Sequence, residues 1–91
     1  MCTYITNTAD MRGSGLANGE WFRLDQAVVY FDHPQDAPVD HALCIDFRPA
    51  GGPPDMRAAV ELDAESARAL ARTILDLLDQ DEVRVLTAPA G

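Results

Sequence analysis

A chain of 91 residues has room for one domain and a modest core, with roughly 64% of the extended surface buried at this size. Fifteen acidic residues stand against seven arginines and no lysine, and the resulting formal charge of −8 argues against DNA, RNA or an anionic membrane as partner, because phosphate neutralisation needs clustered cations. No run approaches the ~18 apolar residues of a membrane span, and with no signal peptide the two cysteines, Cys2 and Cys44, are expected as free thiols in a reducing cytoplasm.

Residues 2–6, CTYIT, are rich in β-branched and aromatic side chains and predict a short first strand. Residues 7–20 contain Gly13, Gly15 and Gly19 and are expected to interrupt regular structure. Gly13-Ser14-Gly15 lacks the Lys-Ser/Thr ending and the spacing of a phosphate-binding loop, so its expected role is conformational. Asn18-Gly19 is a tight-turn pair that feeds the following strand. Trp21, Phe22 and Leu24 then form a short extended piece with Trp21 as a core anchor, while Arg23 and Asp25 alternate to the other side.

The organising stretch is VYFDHPQDAPVDHALCI, residues 29–45. Two apolar runs flank a Pro- and Asp-containing segment, and each run meets that segment through a histidine. As an antiparallel hairpin, Ala27 faces Phe47, Val29 faces Ile45, Phe31 faces Leu43 and His33 faces His41, all on one face by strict alternation. Val28, Tyr30 and Asp32 lie on the other face against Asp46, Cys44 and Ala42. The first strand of the pair ends before Pro34, which supplies no ladder donor and restricts the residue before it.

Residues 57–62 alternate as a further strand. Asp63 is the expected N-cap of a helix over residues 64–79, because Ala67, Leu70, Ala71, Ile74, Leu77 and Leu78 recur at helical spacing and form a stripe for a sheet to cover. The architecture read from this pattern is α+β, a four- to five-stranded mainly antiparallel sheet covered on one face by a single C-terminal helix. Residues 1–80 form the single domain, and residues 81–91 are a short edge strand or a flexible tail.

Six ordered segments carry a family resemblance: MCTYIT from Met1, GSG from Gly13, GEWFRL from Gly19, VYFDHP from Val29, HALCIDF from His41 and AVELDAESARALA from Ala59. Together they resemble a family of small, functionally uncharacterised actinobacterial proteins, which implies a protein class and no activity, substrate or cofactor. Cys44 departs from the pattern of that family, where asparagine is usual, so the resemblance does not support Cys44 as a nucleophile or metal ligand.

Three functions are open to these residues. The first is a small cytosolic binding or accessory protein acting as a homodimer, since one helix covers one sheet face and Val28, Tyr30 and Cys44 add apolar area to the other. The second is metal binding by His33 and His41, because directly opposed Cβ atoms lie roughly 4.5 to 5.5 Å apart, with a third ligand from Cys2, a loop aspartate or a partner subunit. The third is a cysteine- or histidine-dependent enzyme; with Met1 removed, Cys2 would carry both a thiol and an α-amine. The identity of a cofactor, small ligand or metal is not encoded in any motif.

Overall fold

The computed structural model describes residues 5–53 and 55–88. Four strands, β1 (Ile5–Ala17), β2 (Glu20–Asp32), β3 (Ala42–Arg48) and β4 (Ala58–Leu62), precede two helices, α1 (Ala64–Leu78) and α2 (Asp81–Thr87). The strands form one antiparallel sheet in the order β1-β2-β3-β4, so the fold is α+β and the sheet is a simple meander.

The first hairpin is longer than its glycine content suggests. β1 runs through the segment expected to break, and the two pieces expected around Trp21 and Ala27 are one continuous β2. Two local features accommodate the irregular sequence. The register shifts between Asp10 and Gly13, where β1 carries one more residue than β2, a β-bulge. Gly15 pairs with Phe22, and a Cβ there would lie 2.7 Å from the Phe22 ring, so the glycine makes room for an aromatic lying across the strand. Asn18 (φ 52°) and Gly19 (φ 77°) close the hairpin, the two positive dihedrals that a two-residue turn of matching twist requires. Trp21 is not a core anchor: it is 70% exposed, because it pairs with Leu16 beside the turn, beyond the reach of β3, whose pairing with β2 ends at Gln26 and Arg48.

The second hairpin has the register that alternation predicts, with Ala27, Val29 and Phe31 opposite Phe47, Ile45 and Leu43. β4 extends that apolar face through Ala58, Val60 and Leu62, which pair with Phe47, Ile45 and Leu43. Asp63 caps α1 as expected, its side chain accepting the Ser66 N–H at 2.6 Å.

The helical layer departs from expectation in two ways. Among the described residues there are two helices rather than one, residues 81–87 forming α2. Asp81 and Glu82 in the first turn and Arg84 in the last suit the helix dipole and override the β preference of Val83 and Val85. In addition, the stripe of α1 is not shielded by the sheet: Leu70 is 45% exposed, and Ile74, Leu77 and Leu78 are exposed as well. The helix approaches the sheet without closing on it, and an apolar groove of about 380 Å³ lies between Leu70, Ala71 and Ile74 on α1 and Val29, Leu43, Ile45 and Leu62 on the sheet. Among the described residues only Ala27, Ala42, Cys44 and Asp32 are buried, so the core of the single chain is thin. The shape is correspondingly drawn out, 49 × 30 × 24 Å.

Candidate functional site

The connection between β2 and β3, residues 33–41, is the most elaborately bonded loop. Asp32, 1% exposed, accepts the backbone N–H of His33 at 2.7 Å. The His33 ring then lies with Nδ1 3.0 Å from the carbonyl oxygen of Asp40, which can only accept, so Nδ1 carries the proton of this hydrogen bond. The backbone carbonyl of Asp40 thus takes part in orienting His33. His41 stacks on Phe31, centroids 6.0 Å apart at 14°, and meets His33 at 4.7 Å and 35°. The two imidazoles are therefore brought together, as the hairpin register requires. Cys2, the third residue of the metal reading, lies outside the described residues. Among the described residues no group of three or more His, Cys, Asp or Glu side chains is arranged to hold a metal ion.

The loop folds toward the sheet face opposite the helices and is tied there by Glu61 of β4. The Glu61 carboxylate accepts three successive backbone N–H groups, from Gln35 at 2.6 Å, Asp36 at 3.0 Å and Ala37 at 3.1 Å. Those bonds, Gln35 foremost, stabilise the anion and hold the Glu61 carboxyl below the usual carboxylate range.

Under the tied loop is an open cleft of about 600 Å³, lined by Tyr30, Cys44, Asp46, Ala59 and Glu61 from the sheet, by Arg57 just before β4, and by His33, Asp36, Ala37 and Pro38 from the loop. Arg57 Nη1 donates to Asp46 Oδ2 at 2.9 Å, and the Tyr30 hydroxyl donates to the same oxygen at 3.5 Å. Cys44 is a free thiol, 3% exposed; burial first, then the carboxylates of Glu61, Asp32 and Asp46, push its pKa up. Burial and the adjacent Asp46 do the same to Tyr30. Both groups are consequently neutral near pH 7, and the cleft offers hydrogen bonds and one guanidinium rather than an activated nucleophile.

Alternation along β2 and β3 puts Tyr30, Cys44 and Asp46 on one face, and that part of the cleft is visible in sequence. Arg57 and Glu61 are not, because their places depend on how β4 registers on β3 and on a loop that lies 24 to 26 residues from Glu61 along the chain.

Fold and site define a small α+β meander with a polar cleft on one sheet face and an apolar groove on the other. The chain belongs to a family of unknown function, DUF6295, whose pattern it matches over residues 1–87. No curated protein and no solved structure matches it. Among the described residues no helix is long and apolar enough to cross a membrane.

Proposed function

We propose that this protein is a small binding protein that acts as a homodimer, with the helical side as the contact between subunits. The observation that supports this is the uncovered stripe of α1 above its groove. Leu70, Ile74, Leu75, Leu77 and Leu78 of α1 and Val85 and Leu86 of α2 are all exposed, the last at 84%. At roughly 100 Å² of exposed apolar surface each, these side chains present about 700 Å² per chain, close to the ~800 Å² per partner of a standard interface. A second copy of the chain fits this surface best: a two-fold contact lets the same patch serve both subunits, and the acidic remainder discourages open-ended association. Sedimentation equilibrium at micromolar concentration is expected to give twice the 9.9 kDa chain mass. Ile74→Asp, which places a charge in the stripe, is expected to give a monomer. A 9.9 kDa species for the unaltered chain throughout that range refutes the reading.

A second reading has a specific observation of its own. The 4.7 Å separation of the His33 and His41 rings and the Nδ1 anchor on His33 are the preparation that a pair of imidazole ligands needs. In this reading the ion takes its third ligand from Cys2, a loop aspartate or the partner subunit. Protein purified without an affinity tag is then expected to carry stoichiometric metal that His41→Ala removes, and metal well below one equivalent withdraws the reading.

A further inference from the structure

We infer that the cleft beneath residues 35–38 is a binding site for a small organic cation, an alkylammonium whose charged head pairs with Asp46 and whose chain lies along Ala37, Pro38 and Ala59. The volume of about 600 Å³ falls within the range of small-molecule sites. The formal charge of the lining selects the ligand. Asp36, Asp46 and Glu61 stand against Arg57 and the His33 ring, so an anion would meet three carboxylates and one guanidinium already engaged by one of them.

The carboxylates are not equivalent. Both oxygens of Glu61 are committed, Oε2 to Gln35 and Oε1 to Asp36 and Ala37. Asp46 receives both Arg57 and Tyr30 on Oδ2, which leaves Oδ1 as the acceptor for a ligand. Its side chain is only 17% exposed, so its charge is screened less than in open water, and with Arg57 paired to it, Asp36 and Glu61 still leave the lining net negative. Tyr30 and its cross-strand partner Cys44 line the same cleft, and Cys44 stays an uncharged thiol that does not compete for the cation. This site lies on the sheet face opposite the proposed subunit contact, so the two proposals stand or fall separately.

The test is a titration of the full chain, followed by amide NMR at fixed ionic strength and pH, with butylammonium chloride, sodium butyrate and sodium chloride. Butylammonium is expected to move the amides around Tyr30, Asp46 and Ala59 along saturable curves that butyrate and sodium chloride do not produce. Asp46→Asn is expected to weaken binding by roughly tenfold or more, about 1.4 kcal/mol. Ala59→Leu is expected to abolish it by filling the cleft from an exposed position while every carboxylate stays in place. Saturation by butyrate, shifts no different from those of sodium chloride, or unchanged affinity in a folded Asp46→Asn variant overturns the assignment. Should Asp46→Asn lose its dispersed spectrum, the folded Ala59→Leu variant decides: retained affinity overturns the site and lost affinity supports it. Sedimentation of the same samples reports the subunit contact independently.

Discussion

Glu61 does more for the site than any other single side chain, because it converts a loop of prolines and aspartates into a fixed roof. Three N–H groups that would otherwise need water converge on one carboxylate, and the same bonds depress its pKa. A carboxylate with a depressed folded-state pKa contributes stability that is present above its unfolded value, near roughly 4.3, and that is lost as pH falls through the folded value. Hydrogen exchange at Gln35, Asp36 and Ala37 is therefore expected to be slowed at neutral pH, relative to unstructured chain, and that protection to collapse under acid. In Glu61→Ala the protection is expected to be absent at every pH, while the β2–β3 ladder stays protected. Equal protection of these amides in the variant would show that something other than Glu61 holds the loop.

At the level of elements, the first hairpin rests on its turn rather than on packing, since most of β1 is exposed. Gly19 at φ 77° has open space around it, so a side chain there meets no clash and the cost of a substitution is purely that of the backbone region. Gly19→Val is expected to lower stability by about 1 to 2 kcal/mol in urea melts, from the cost of a left-handed conformation. Gly15→Ala has a different cause, the Phe22 ring 2.7 Å from the new Cβ, and is expected to shift the Phe22 ring resonances, which Gly19→Val leaves alone. The helices follow the opposite logic. α1 has a sound cap and a continuous apolar stripe, but neither says which surface will meet the stripe.

For the whole molecule, the described residues bury little and leave the apolar stripe of α1 open. If a second copy covers that stripe, folding and association are linked and the melting temperature rises with protein concentration. Leu70→Ala separates the cases. At 45% exposure in the single chain its loss is expected to cost well under the ~2 to 5 kcal/mol of a fully buried leucine, whereas a dimer that seals the groove restores that full cost. Urea melts at two protein concentrations measure both effects together. A concentration-independent transition with a loss below about 0.5 kcal/mol would remove the subunit contact from this face.

The amino-acid sequence by itself determined the elements whose signal is local or periodic. The β2–β3 register follows from two apolar runs that a one-residue slip would turn inside out, the first turn from Asn18-Gly19, and α1 from Asp63 and its stripe. The nearness of His33 and His41 follows from that register, so this pair was legible too. Tertiary structure alone decided the rest. Residues 7–17 became strand because β2 offered a ladder, interrupted by one bulge, to a segment of poor intrinsic β character. Residues 81–87 became helix, and Trp21 went to solvent because the β3 pairing with β2 ends at Gln26, short of it. The cleft belongs to this second class: it exists only where Glu61, far along the chain, captures three loop amides, and a convergence of groups distant in sequence leaves no period or spacing to read.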